Sequence, residues 1–486
     1  MPAKGHWGKF IMMETLAGTE GFFVYEGSRL RAGEVELALV RVGNAKFLYL
    51  SRSLPGFTGR ELQEGGVLCP LTPENARALM ELVPELKPRR LPHGPSFGFG
   101  DRIGLATPGH IRAARGSRAF PVLAQQSVRE NARTGRSFAQ VLADAAFGAL
   151  QEGYFEGFAA DADHLKSVED AREAAKWGYT FFTCDPSDHV VAAERLSERI
   201  LRRRFLSLPD APKLKAEYLD KSFEIEGLGK LWFSETELMR AAVKYLRAVE
   251  FAAEMYHALK QELPGGFDFE LSVDETETPT SPLEHYFVVQ ELKRRDVELT
   301  SLAPRFSGAL EKAVDYRGDL EVFRRDLKAH VALAKALGGY RISLHSGSDK
   351  FSLYPLFAKE AEGLFHIKTA GTSYLVALEV VAERAPELFR EIYRLSVERF
   401  AEDRVSYHLS TNTAALPSPE GLSDEELRRL LEEPDPRQVL HVAYGSVLQS
   451  PLGDELKRVL LDHESDYISL LERHLGRHLE LLGVRG

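Results

Sequence analysis

The chain has 486 residues, 44% hydrophobic and 28% charged, with a net charge of -10 and a pI of about 5.9. That length holds one large domain with a smaller companion, or two to three ordinary domains, and the acidic balance argues against a nucleic-acid binder, which carries a basic surface. Two distant cysteines, Cys69 and Cys184, exclude a disulfide framework and a CxxC site. No window approaches about 18 unbroken apolar residues and the N-terminus has no apolar run of signal length, so a cytoplasmic protein without a membrane span is expected.

Residues 1–95 read as a small β-rich domain. GFFVYEG, VELALVRVG and AKFLYLS are short apolar or alternating runs bounded by glycine, hence strands. A helix follows over Pro73 to Val83 with Thr72 as N-cap, and the Pro- and Arg-rich KPRRLPHGP reads as a linker. From residue 96 to 486 short apolar strands alternate with long amphipathic helices. The strand candidates are RIGLAT, FPVLAQ, FEGFAAD, YTFFTCD, FDFELSVD, VELTSL, RISLH, LFHIK, VSYHLS and LHVAY. Strand–helix alternation predicts a parallel sheet with right-handed crossovers. Polar residues cluster at the C-terminal strand ends, which predicts an α/β fold of the (β/α)8 TIM-barrel type. There are more candidates than a barrel has places, and LFHIK and LHVAY are the first to be set aside by length and context. The segment from about 186 to 266 is strongly helical and reads as an insertion after a barrel strand.

The chemistry lies at those strand ends. ADADHLK sets out Asp161, Asp163 and His164, and two carboxylates with a histidine in four residues suit a metal ligand set or a general acid beside a ligand. FDFELSVD alternates, with Phe269, Leu271 and Val273 on one face and Glu270, Ser272 and Asp274 on the other. A glutamate facing a barrel lumen is costly unless paired or bound to metal. Asp274, Glu275 and Glu277 lie further out, where one or two can simply cap the next helix. RISLH delivers His345 into the loop Ser346, Gly347, Ser348, Asp349, Lys350, a small-residue loop of the kind that holds metals and oxyanions. His345 and His366 are the leading metal candidates, and Lys350, Lys368 and Ser348 suit an anionic substrate group. Arg102 and Arg305 are similar candidates, and YHLSTNT places His408 and Asn412 at another strand end. FGFGDRIG lacks the GxGxxG spacing of a nicotinamide site, and neither a P-loop nor a GxSxG is present.

Taken together, GDRIGLATPGHIRA, QQSVRENARTGR, ADADHLK, FEIEGLG, SVDETETPTSP, the LHSGSDKFS…HIKTAGTS run and YHLSTNT resemble the tagaturonate epimerase family, also met as ketohexose 4-epimerases. The resemblance covers roughly residues 97 to 415. It implies a barrel enzyme that interconverts tagaturonate and fructuronate with a divalent metal, whether zinc, nickel, manganese or cobalt. Because the inverted C4 lies β to the C2 ketone, its proton is not acidic, and retro-aldol cleavage between C3 and C4 with re-addition is the expected route. ADADHLK and LHSGSDK are also locally similar to metal-dependent class II aldolases, which implies His164 and His345 as ligands and Asp163 as acid/base.

The expected site therefore draws its ligands from His164, Glu270, His345 and His366. Its acid/base group comes from Asp161, Asp163 and Glu270, and its grip on a sugar-acid carboxylate from Lys350 and Lys368, with Arg102 and Ser348 as further substrate contacts. An aldolase that releases its fragments is the nearest alternative, transient oxidation by bound NAD is a rival mechanism, and a non-catalytic sugar-acid sensor is a third class. A homo-oligomer is compatible with the sequence, which specifies no subunit number.

Overall fold

The computed structural model describes residues 22–63, 65–407 and 409–486. The N-terminus that lacks a signal-length run, and His408, lie outside the described residues.

An antiparallel sheet comes first: β1 (Phe22–Val24), β2 (Leu30–Ala32), β3 (Val35–Val42), β4 (Ala45–Leu50), β5 (Arg60–Glu61) and β6 (Val67–Pro70), in the order β1-β3-β4-β6-β5 with β2 also paired to β3. Alternation in VELALV divides its two faces. Leu37 and Leu39 join the main core of the protein, whereas Ala38 and Val40 form a small cluster with Val24, Tyr49 and Leu68. Thr72 caps the helix Pro73–Leu82 by accepting from the Asn75 N–H at 3.3 Å.

The proline-rich stretch after that helix does more than link. Its backbone ties itself across the N-terminal ends of the strands that follow: the Arg89 N–H donates to the Phe158 carbonyl (2.7 Å), the Leu91 N–H to Asp268 Oδ2 (2.6 Å), and Arg341 Nε to the Gly94 carbonyl (2.7 Å). Those strands form the barrel. The chain lays down β7 (Ser96–Phe99), β8 (Phe120–Ser127), β9 (Ala159–Leu165) and β10 (Phe181–Cys184). It then detours through the hairpin β11 (Ser222–Ile225) and β12 (Gly229–Trp232), and completes β13 (Asp268–Ser272), β14 (Ser301–Ala303), β15 (Arg341–Leu344) and β16 (Phe365–Thr369). The closed order is β10-β13-β14-β15-β16-β7-β8-β9, parallel throughout.

Three strand expectations are corrected. RIGLAT is a turn leading into the helix Thr107–Ala114, and the strand is SFGF just upstream. Asp101 causes this, because its carboxylate accepts the N–H groups of Ile103, Gly104 and Ala106 and so folds the segment back on itself. LHVAY begins as the last turns of the helix Pro434–Val442, which proline opens. VSYHLS enters as a 3-10 turn at Arg404–Ser406. LFHIK, by contrast, is a barrel strand, paired on both edges. The segment expected as an insertion contains helices Glu198–Leu206 and Ala211–Tyr218 and the β11–β12 hairpin. Its 28-residue helix Glu235–Glu262, however, packs between Val168–Trp177 and Pro282–Lys293 as a member of the outer ring.

The last helix, Glu464–Leu481, packs on Thr107–Ala114 and on Thr372–Arg384. At its start Glu464 takes Lys46 Nζ at 2.5 Å and the Tyr25 hydroxyl at 2.7 Å, fastening the N-terminal sheet to it. Among the described residues no helix is long and apolar enough to cross a membrane.

Candidate active site

A break in alternation builds the first wall of the site. In β9 Ala162 pairs with Phe182 and Leu165 with Cys184, so three steps on β9 match two on β10 and a bulge falls at Asp163–His164. In a regular strand these neighbours would point to opposite faces; a bulge re-aims one of them. His164 sits at φ 51°, a left-handed conformation rare for a residue with a Cβ. Asp163 and His164 therefore line the same cavity, with His164 Nδ1 2.8 Å from Asp163 Oδ1.

The opposite wall comes from β13, β15 and β16, whose inward residues meet in the lumen. Lys368 Nζ lies 2.7 Å from Asp161 Oδ2, 2.7 Å from Asp163 Oδ1, 2.8 Å from Glu270 Oε1 and 2.6 Å from Thr183 Oγ1. Glu270 is fully buried; it also accepts from Ser301 and meets His345 Nε2 at 2.5 Å. The other ring nitrogen of His345 faces Ser272 Oγ at 3.3 Å and Asp274 at 3.7 Å. The rings of His164 and His345 are 4.8 Å apart.

Three carboxylates around one lysine, with Asp274 beside His345, make an acidic pocket. Burial pushes Asp161 up, to about 7, against the pull of Lys368. Burial would raise Asp163 and Glu270 as well, but His164 and Lys368 for the first, and Lys368 and His345 for the second, hold both well below the carboxylate range. Burial would lower His164, yet Asp163 raises it to about 10. That is the electrostatic setting a cation seeks. Ligating atoms of Asp163, His164 and His345 all lie within 4.8 Å of one another, a nitrogen and oxygen donor set suited to a divalent transition metal, with Glu270 holding one ligand ring from behind. The residues thus fit a metal ion, which would displace the proton on His164.

Above this cluster opens a cavity of about 530 Å3, lined by Asp163, His164, Asp274, His345, Lys368, Arg102, Arg129, Arg305 and Lys312 among others. Sequence reasoning had left Asp274 beside possible capping residues, although it continues the 270, 272, 274 face of β13. Arg129 and Lys312 it missed; both sit outside strands, where no periodicity marks them.

Other expected residues lie elsewhere. His366 is one layer deeper in the barrel, its Nδ1 2.9 Å from Ser96 Oγ and its ring edge-on to Phe181, outside the group around His164. Arg102 reaches the cavity but is engaged by Glu130 (2.7 Å) and lies 3.8 Å over the Tyr444 ring. Lys350 does not face the cavity. Its ammonium is buried among the carbonyls of Glu311, Val314 and Ser348 at 3.0, 2.6 and 3.0 Å, and burial lowers it to about 8. Ser348 accepts the Ala370 N–H and also does not line the cavity.

Lys350 and Ser348 instead hold the loop behind His345. Gly347 is needed there, since a Cβ would stand 2.6 Å from Ile367 and 2.8 Å from the Lys368 carbonyl. Asp349, at φ 58°, turns to the far side of the loop, 2.7 Å from His474 Nε2 and 2.9 Å from Arg437. Asp349, His474 and His478 also stand close enough to suggest a metal. His478, however, already accepts the Asp349 N–H (3.1 Å) through Nε2 and pairs its Nδ1 with the His474 carbonyl (2.9 Å), so this group is a brace. Burial alone would raise Asp349, but His474 and Arg437 outweigh it and hold the carboxyl well below its usual range. A carboxyl with a depressed folded pKa stabilises above its unfolded pKa, about 3.9, and that contribution fades as pH falls through the folded value. Asp349→Asn is therefore expected to be destabilised at pH 7, with a deficit that shrinks below about pH 4. Urea unfolding at a series of pH values reads this, and a constant deficit would rule it out.

Fold and site together define a closed α/β barrel with a polar cavity lined from the C-terminal ends of its strands. Comparison with known proteins narrows the class. Residues 25–482 match the tagaturonate epimerase family. The chain is 46% identical over 469 residues to the tagaturonate/fructuronate epimerase of Thermotoga maritima, covering 95% of this chain and 97% of that one. It is similar to crystal structures of the fructuronate-tagaturonate epimerase of Cohnella laeviribosi, one native and one with a glycerol bound. Each is 38% identical, with a TM-score of 0.92, over 98% of this chain and 99% of the other. The chain belongs to the tagaturonate epimerase family and is an isomerase acting on carbohydrates.

Proposed function

We propose that the chain interconverts tagaturonate and fructuronate by opening and re-closing the C3–C4 bond at the barrel mouth, with a divalent metal held by Asp163, His164 and His345. The observation that carries this reading is the convergence of those residues with Asp274 on one cavity, over a lumen where Lys368 binds Asp161, Asp163 and Glu270. When bound, the metal supplies positive charge where negative charge builds up on the C2 and C3 oxygens.

Asp274 lines the cavity outside that ligand set and is the carboxylate placed to take the proton of the C4 hydroxyl. As that proton leaves, the C4–O bond becomes a carbonyl, the C3–C4 bond breaks, and its electrons move to the C2 oxygen. The aldehyde turns its other face, the bond re-forms, and the same carboxylic acid returns the proton. Glu270 does not line the cavity; its role is to fix the His345 ring, as carboxylates behind metal-ligating histidines do.

The test is to incubate purified protein with tagaturonate and follow products by NMR, before and after EDTA. Fructuronate that disappears with chelation and returns with added metal is expected. Free three-carbon products would mark an aldolase, and stoichiometric nicotinamide in the purified protein would replace the aldol route by hydride transfer.

A further inference from the structure

The lysines expected to grip the substrate carboxylate are both occupied: Lys350 by three backbone carbonyls behind the loop, Lys368 by three carboxylates in the lumen. Of the other cations on the cavity, Arg102 is bound to Glu130, Arg129 stands 3.8 Å from Glu275, and Arg404 donates to the Leu409 carbonyl. Two remain, both on the loop that follows β14.

Arg305 has a buried Nε without an acceptor, and its guanidinium meets only the Asp274 carbonyl, at 3.4 Å. Lys312 Nζ meets only the Ser346 hydroxyl, at 2.9 Å. Among the described residues neither has a carboxylate within ion-pair distance, although Lys312 stands near enough to Asp274 to help hold its carboxyl below the usual range. Ser346 directly follows His345, so Lys312 stands beside the metal-ligand candidates, and Arg305 reaches toward the backbone of Asp274. An anionic substrate entering a cavity that also shows Asp163, Asp274 and Glu275 is repelled unless a cation faces its charge.

We infer that Arg305 and Lys312 form the subsite for the substrate's carboxylate and so set the preference for a sugar acid over a neutral ketose. The inference rests on the reading above that the substrate is a hexuronate. An arginine beside a lysine offers a planar fork and a mobile point charge to one carboxylate. Neither residue touches the reacting carbons in this scheme, so removing one weakens substrate binding and leaves the chemical step nearly intact.

The experiment compares Arg305→Met, Lys312→Met, the double variant and Lys312→Arg with the wild type. It measures KM and kcat for tagaturonate, the Kd of the unreactive hexonate galactonate by calorimetry, metal content and thermal unfolding. Each methionine variant is expected to raise KM and the galactonate Kd by roughly ten- to a hundredfold, with kcat within about threefold. Lys312→Arg should recover most of the loss, and metal content should be unchanged. A double variant with wild-type KM and galactonate affinity would overturn the subsite, as would a collapse of kcat at unchanged KM. Should the wild type fail to epimerise tagaturonate, the functional reading falls, and the galactonate Kd alone then decides for or against the carboxylate subsite.

Discussion

Lys368→Met is expected to cost about 3–5 kcal/mol of stability and to abolish activity, because it removes the cation that three buried carboxylates share. Lys368 is 2% exposed, and Asp161 and Glu270 are fully buried, so no solvent stands by to replace the ammonium. Coulomb repulsion among Asp161, Asp163 and Glu270 would then push protons onto them, with loss of the ionised groups on which the site depends. Part of the stability should return in Lys368→Met combined with Asp161→Asn, which takes away one of the stranded charges. Urea unfolding of both variants measures this. A single variant within about 1 kcal/mol of wild type would mean that the lumen does not hold its carboxylates ionised.

His345→Ala is expected to behave differently, losing metal and lowering kcat by roughly a thousandfold or more while the protein stays folded. Truncating the ring leaves Glu270 with Lys368 and Ser301 as partners, so no buried charge is orphaned. Metal content by mass spectrometry and turnover of tagaturonate are the readouts, with thermal unfolding as the control. A metal-loaded, fully active variant would remove His345 from the ligand set.

How far the site could be read from the sequence depended on where each residue stood. Glu270 and His345 were legible because they occupy the inward face of alternating runs that end at the barrel mouth, whereas Lys368 was picked for its charge and meets three carboxylates in the lumen. Asp161 and Asp163 shared a face for the same reason, but the pairing of Asp163 with His164 depends on a bulge that only strand register reveals. The loop after His345 was misread at Lys350 and Ser348, since residue type says that a lysine can meet an anion but not which way a four-carbon arm folds. Strand content misled where local hydrogen bonding decided the outcome: the Asp101 carboxylate turned RIGLAT into a bend, and Pro434 opened a helix that absorbed most of LHVAY. LFHIK looked too short for a barrel strand, yet pairing on both edges stabilises five residues well enough.

The helix Glu464–Leu481 joins Lys46 of the first sheet to Asp349 behind the His345 loop, and it follows both of them in the chain. During synthesis the sheet and the barrel strands are all out of the ribosome before their clasp exists. Asp349, behind the loop carrying His345, can by then meet Thr372 and Arg437, but His474 reaches it only with that helix. One element thus ties the outer sheet to the support of the site, and it reaches both after they have been made.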